Sequence, residues 1–261
     1  ESAAAFVLAS AGGKFKGAGA SATERAISLL GMEHPAITKL LESSEGLLIP
    51  VISLKGDPGG HVPVAIDLDG PFTVESWVRL DAPVDNSDSL LGKAGVADFN
   101  FYGGSLRLHS GGKDHIVASR PVAPGIWTHF AVTRDAAGKL RIFIDGEPDP
   151  ASGEPFTGKM AGLNPGVSFG KGGTSGKFLS FRVWDRARTE EEIRGAFRTR
   201  FSEGELPEGL LVNLPEKGGA AVTMTADFPE LRTPAEAVAI AEKFRVTKAK
   251  ASSPGDAAQG R

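Results

Sequence analysis

The stretch WTHFAVTRDAAGKLRIFIDG, residues 127–146, restricts the fold more than any other part of the chain. Thr128, Phe130 and Val132 alternate with Trp127, His129 and Ala131, a period of two that sends successive side chains to opposite faces of a strand. Asp135-Ala-Ala-Gly138 supplies turn chemistry, after which Leu140, Ile142 and Ile144 resume the alternation. Asp145-Gly146 then offers the positive backbone angles that a tight hairpin turn needs. The result is an antiparallel meander, the building unit of a two-sheet sandwich. Such sandwiches carry binding, adhesive and catalytic functions alike, so this feature constrains architecture and not activity.

The same period recurs along the chain. In PFTVESWVRL, residues 71–80, Phe72, Val74, Ser76 and Val78 face one way while Thr73, Glu75, Trp77 and Arg79 face the other. Further strands are expected at 89–93, 98–102, 105–109, 115–119, 167–169, 178–184, 209–214 and 221–226, separated by glycine-rich punctuation as in a sandwich. LLIPVISL, residues 47–54, is apolar, but Pro50 cannot donate to a ladder, which predicts an edge or strand-start segment.

Helices are expected only at the periphery. Ser21-x-x-Glu24 makes a capping box ahead of Ile27 and Leu30, and Pro35 precedes Ile37, Leu40 and Leu41, which predicts a short N-terminal helical hairpin. Thr189-Glu-Glu-Glu192 repeats the capping box, with Ile193, Phe197 and Phe201 in one stripe that can pack on the sandwich. Pro234 opens a last short helix through Phe244, and the tail after Val246 has no apolar period. The fold class is therefore all-β: an antiparallel two-sheet jelly-roll sandwich over 47–232, with a helical extension at 1–46 and a short helix and flexible tail at 233–261.

Composition removes several function classes. A chain of 261 residues, 41% hydrophobic, can bury a sizeable core. A formal charge of -3, with no Lys/Arg cluster interleaved with aromatics, excludes nucleic acid as a partner. The absence of cysteine rules out disulfides, haem attachment and thiolate zinc within the chain, and fits either the cytosol or a bacterial envelope. AAAFVLA, residues 3–9, falls short of the roughly 18 apolar residues of a membrane span and lacks the basic flank of an intact signal peptide. A start at Glu1 instead of Met fits a processed or excised product.

Six segments now point to a family. FTVESWVRL, GSLRLHSGG, VAPGIWTHFAVTRD, KLRIFIDG, VSFGKGGTSGKFLSFRVWDRA and the TEEEIR helix occur in the order of the concanavalin A-like, laminin-G-like jelly-roll superfamily, which the chain resembles over about residues 58–201. The resemblance implies a recognition module whose rim loops or concave face bind a glycan or a protein, in the periplasm or outside the cell. Related modules often bind calcium, which makes it the one candidate cofactor. Many carry acidic ligands in an Ile-Asp-Glu-Val-Arg-like run, and here the matching Phe178-Leu179-Ser180-Phe181-Arg182 has lost both. The tail SPGDAAQGR resembles the lead-in to a cytochrome c domain, and laminin-G-like modules occur in large bacterial cytochrome-containing proteins, which implies a neighbouring haem domain as a further partner.

Each conspicuous residue has a structural reading beside its functional one. Trp77, Trp127 and Trp184 could stack on sugars, but a tryptophan in an alternating strand fits a core position with its indole N–H on a carbonyl. His129 has no assignable catalytic partner. His109 and His115 bracket Gly111-Gly112 in an expected loop and could share a metal, but they lack a third ligand. Asp67, Asp69, Asp85, Asp88 and Asp98 offer the hard oxygens calcium prefers, and also fit solvated turns. A jelly-roll glycosidase needs two carboxylates about 5 to 10 Å apart. The nearest match, Glu147-Pro-Asp149 through Glu154, is broken by prolines into a loop. Gly170-Lys-Gly-Gly-Thr-Ser-Gly176 has no following helix with which to cradle phosphate.

The sequence therefore assigns no catalytic residue and no metal ligand, and leaves the ligand-contacting residues unnamed. Three function classes follow: a non-catalytic glycan- or protein-recognition module of a larger bacterial envelope or secreted protein, a structural or assembly domain, and a sugar-active enzyme. The surface expected to bind is formed by the loops at 81–88, 95–104, 109–115 and 147–176.

Overall fold

The computed structural model describes residues 49–57, 60–167, 173–201, 206–215, 222–225 and 229. The expected N-terminal hairpin, the helix from Pro234 and the tail lie outside them. The chain divides into two compact units, Glu1–Phe197 with Glu208–Phe228, and Arg198–Pro207 with Pro229–Arg261. All elements below belong to the first. In the second, Leu206 is exposed.

Among the described residues, fourteen strands form two antiparallel sheets. The large sheet holds β1 (Ile49–Lys55), β3 (Phe72–Leu80), β8 (Thr128–Arg134), β9 (Leu140–Ile144), β10 (Glu147–Pro148), β12 (Ser175–Trp184), β13 (Leu210–Leu214) and β14 (Val222–Thr225), in the order β10-β9-β8-β3-β12-β1-β14 with β13 also on β12. The small sheet holds β2 (Ile66–Leu68), β4 (Ser89–Lys93), β5 (Ala97–Asn100), β6 (Arg107–Ser110), β7 (Lys113–Val117) and β11 (Met160–Pro165), in the order β2-β11-β4-β5-β6-β7.

The expected alternation decides what lies between the sheets. Phe72, Val74, Val78, Phe130, Val132, Ile142, Phe178 and Phe181 from the large sheet bury against Leu91, Phe99, Leu108, Ile116 and Leu163 from the small one. Each such side chain contributes about 1.5–3 kcal/mol relative to exposure. The central meander forms as its residues dictate. Asp135 Oδ1 accepts from the backbone N–H groups of Ala137 and Lys139, and Asp145 and Gly146 adopt φ of 55° and 82°.

Three expectations are corrected. β1 is not an edge, because it lies between β12 and β14, although Pro50 does stand at its start as the second residue. Proline is tolerated because β12 pairs only with Ile52–Lys55, so Pro50 has β14 alone as a neighbour. The strand expected at 167–169 lies, beyond Val167, outside the described residues, and the loop expected over 147–176 contains both β10 and β11. Gly162, Asn164 and Pro165 disguise it, and its pairing with β2 is broken by a register shift. His109 and His115 stand in a hairpin of β6 and β7, turned by Gly111 and Gly112 at φ of 59° and 76°, and not in a loop.

Helix α1 (Glu190–Ala196) covers part of the outer face of the large sheet. Its capping box forms as expected, with Thr189 Oγ1 accepting from Glu192 N–H and the Glu192 carboxylate accepting from Thr189 N–H. Ile193 packs on Ala131 and Phe143. The helix ends before Phe197, whose ring lies against Gly146, where an added Cβ would come within 2.8 Å.

Candidate functional site

Polar residues gather on the outward faces of both sheets, and the two groups differ in access to solvent. Beneath α1, cross-strand register sets Glu75 beside Arg182 and Trp77 beside His129. Glu75 is fully buried and accepts two hydrogen bonds from Arg188 Nη1, at 2.9 and 3.0 Å, and one from Trp184 Nε1 at 3.0 Å. Arg182 Nη1 lies 3.5 Å and His129 Nε2 3.7 Å from the same carboxylate. Burial opposes the ionisation of Glu75, but Arg182, Arg188 and His129 outweigh it and hold the carboxyl below its ordinary range. Burial pulls the His129 imidazole down to about 4, against the attraction of Glu75. His129 Nδ1 finds no hydrogen-bond partner among the described residues.

Two tryptophans belong to this layer and not to the space between the sheets. Trp77 donates its indole N–H to the Phe197 carbonyl at 2.8 Å and stacks on the Phe197 ring, with centroids 5.8 Å apart. Trp184 reaches a carboxylate where a carbonyl was expected. Both are buried, and with them His129. Trp127 is half-buried and precedes β8. The described side chains of Glu75, Trp77, His129, Arg182, Trp184 and Arg188 are buried, and bonds to the Phe197 and Glu192 carbonyls hold α1 to the sheet.

The more accessible group lies on the small sheet, although its Asp98 and Asn100 are buried. Register aligns Asp98, His109 and Asp114 across β5, β6 and β7, and Asn100 beside Arg107 in the next row. Arg107 organises them: Nε donates to Asn100 Oδ1 at 2.7 Å, Nη1 to both oxygens of Asp114 at 2.9 and 3.1 Å, and Nη2 to Asn86 Oδ1 at 3.1 Å. Asn100 Nδ2 also donates to Asn86 Oδ1. His109 Nδ1 lies 2.5 Å from Asp114 Oδ1. Burial works against ionisation of Asp114, but the bonds from His109 and Arg107 prevail and keep its carboxyl below the usual range.

One aromatic ring completes the arrangement. The Arg107 guanidinium sits 4.1 Å from the centroid of Tyr102, a cation–π contact, while Tyr102 keeps 57% of its surface exposed. It is the only tyrosine in the sequence. Next to Arg107 opens a cleft of about 330 Å³ lined by Asn86, Gly95, Arg107, His109, Gly111 and Gly112. Three of the four segments expected to bind thus meet at one place: 81–88 supplies Asn86, 95–104 supplies Gly95 and Tyr102, and 109–115 supplies His109, the turn and Asp114. Among the described residues, the stretch 147–176 contributes none of its lining.

The residues weighed as ligands or catalysts are spent elsewhere. Asp67 accepts from Gly162 N–H, Asp85 from Ser87 N–H, Asp88 from Ser175 and Asp85 N–H, and Asp98 from the Ser89 hydroxyl, while Asp69 pairs with Lys159. Among the described residues no three His, Asp or Glu side chains gather as metal ligands would. His115 packs on Phe156, with ring centroids 4.1 Å apart. Glu147 pairs with Arg194, Asp149 accepts from Ser119 and Glu154 pairs with Lys113, so the three carboxylates of that run have separate partners. Among the described residues, no side chain lining the cleft is a carboxylate. β12 begins at Ser175, where a phosphate loop would open a helix.

Sequence reasoning missed Asn86, Tyr102 and Arg107. The i, i+2 pairs Asp98/Asn100 and Arg107/His109 carried a signal, because polar residues at a period of two mark one solvent-facing side of neighbouring strands. Nothing in the sequence shows that the loop at Asn86 folds over that side.

Comparison with known proteins completes the description. A laminin G family model, described as the concanavalin A-like lectin/glucanases superfamily, matches residues 55–194. No curated protein matches the chain. Among solved structures, a candidate carbohydrate binding protein from Bacteroides ovatus is 23% identical, with a TM-score of 0.47, over 67% of this chain and 55% of that one. Domain 4 of AbnA, a GH43 extracellular arabinanase from Geobacillus stearothermophilus, in complex with arabinotriose, is 18% identical, with a TM-score of 0.42, over 58% of this chain and 90% of that one. The heptameric SAP-like pentraxin of Limulus polyphemus is 15% identical, with a TM-score of 0.40, over 56% and 80%. This chain thus spans about half the length of the Bacteroides protein.

Proposed function

The chain belongs to the concanavalin A-like lectin/glucanases superfamily, and we propose that it acts there as a non-catalytic recognition module that binds a glycan on the outer face of its small sheet. One observation carries the reading: the exposed Tyr102 ring, held on Arg107 beside a polar cleft. An aromatic face takes the apolar face of a pyranose or furanose ring, while amide and carboxylate groups around it take the hydroxyls. Asn86 and Asp114 stand within one hydrogen-bonded network with Arg107 to do so. Binding groups held by a strand framework lose little freedom when the ligand arrives.

The module serves a periplasmic or extracellular bacterial protein in this reading. No helix among the described residues is long and apolar enough to cross a membrane. A glycan array probed with the chain and with Tyr102→Ala tests the function. Reproducible binding to one sugar class, lost in the variant while the melting temperature stays the same, is the expected result. Equal binding by both proteins would move the site elsewhere, and silence of both would end the glycan reading.

A further inference from the structure

We infer that the small-sheet cleft takes an internal stretch of a linear glycan chain, laid along β5 and β6, and not a free monosaccharide or a chain terminus. The inference rests on the proposed site and adds the form of its ligand.

The cleft has a direction. Asn86 lines one part of it, bound by Asn100 of β5 and Arg107 of β6, and Tyr102 follows Asn100 at that same end of β5. Arg107 and His109, two apart on β6, come next along the strand. Gly111 and Gly112 in the β6–β7 turn, with Gly95 in the β4–β5 turn, line the opposite part. These turns stand side by side, because Ser110 Oγ donates to the Val96 carbonyl at 2.7 Å. Four strand steps of roughly 3.3 Å separate Arg107 from Gly111, about 13 Å in all, and the Tyr102 ring on Arg107 extends the surface further. This track is longer than one sugar ring.

Both of its ends are open. Tyr102 keeps 57% of its surface exposed at one, and Gly95, Gly111 and Gly112 are all exposed at the other. A Cβ built on any of the three glycines meets no heavy atom within 4 Å among the described residues. A site for a single small ligand encloses most of it, and a site for chain termini needs a wall where the last ring stops. Here a chain can run out past either end. Nor does the turn force glycine at its first position: Gly111 and Gly112 have the positive φ values, 59° and 76°, of a two-residue hairpin turn, and asparagine suits the first of them as well. What Gly111 adds is a mouth without a side chain. Binding strength then accumulates along the track, with one ring on Tyr102, the next over Arg107 and His109, and another over the glycine turns.

The test measures binding of the chain to cello-, xylo-, arabino- and galacturono-oligosaccharides, from monosaccharide to hexamer, by titration calorimetry. In a series that binds, affinity should rise at least roughly tenfold from monosaccharide to trimer and then level off. A monosaccharide held as tightly as the trimer overturns the inference while leaving glycan binding in place, and silence across every series removes both. A second arm uses the polymer of the same sugar to compete with labelled hexamer. Per unit of sugar it should match unlabelled hexamer within about threefold, whereas failure to compete marks capture of chain ends and overturns the idea. Gly111→Asn keeps the turn and sets a side chain at the far end. The gain from monosaccharide to trimer should then shrink several-fold at an unchanged melting temperature, and an undiminished gain counts against the inference. Should that variant not fold, the polymer competition decides.

Discussion

The two sheets carry nearly the same polar chemistry on their outward faces and put it to opposite uses. On the large sheet Glu75, His129, Arg182 and Arg188 are sealed beneath α1 and its flanks. On the small sheet Arg107, His109 and Asp114 keep part of their surface open next to an exposed tyrosine, while Asp98 of the same row is buried. A carboxylate, an imidazole and a guanidinium make a clamp in one place and the partly open network of the proposed site in the other. Residue type alone does not separate the two. What separates them is whether the chain returns to cover the face.

The comparison breaks first at Glu75, where the largest effect is expected. Glu75→Gln leaves Arg182 and Arg188 buried without their carboxylate, and loss of one partner of a buried pair costs about 3–5 kcal/mol. Urea denaturation should show that loss. A change under about 1 kcal/mol would mean that the covered face is no clamp.

Acid should act on the same layer. The unfolded chain takes a proton on this histidine near 6.5, the folded one only near about 4. Between those values the unfolded state binds more protons, so stability falls as pH falls through that window, with a slope that approaches about 1.4 kcal/mol per pH unit. Melting curves of the chain and of His129→Gln across this range should diverge, with the variant flatter. Parallel curves would remove His129 from the explanation.

The open face should respond in binding and not in stability. Tyr102→Ala is expected to weaken glycan binding by about 2 kcal/mol, the scale of an aromatic hot spot, at an unchanged melting temperature. Titration calorimetry with the best array ligand measures it. Smallest of all is Arg194→Ala on α1, which severs exposed pairs with Glu147 and Glu190. Such solvent-screened pairs contribute little, so denaturation midpoints should barely move.

The sheets themselves were legible because alternation is a direct record of which side chains face inward. Phe72, Val74, Val78, Phe130 and Val132 read as one face and pack as one. Turn residues were as plain, Asp145-Gly146 above all. β11 was hidden because Gly162, Asn164 and Pro165 are poor strand formers, and its place is set by β2 and β4 and not by its own preference. Trp77 and Trp184 read correctly as buried, but the period of two cannot say which of two buried faces a residue occupies. The capping box announced α1 without announcing that Arg188 would reach back to Glu75 across 113 positions of sequence. For the open site, His109 and Asp98 drew notice as separate metal-ligand candidates, while Arg107, which ties the face together, looked like one more polar strand residue.

The way β12 is shared has a practical consequence for anyone who would transplant this module. One flank of that strand is occupied by β1 at Ile52–Lys55 and by β13 at Leu210–Leu214, two pieces that come from far apart in the chain. A fragment trimmed to the family match at 55–194 would discard both, baring a row of amide and carbonyl groups above Phe178, Phe181 and Val183. Such an uncapped border invites strand exchange and precipitation, so a portable version has to begin upstream of Ile49 and run past Thr225.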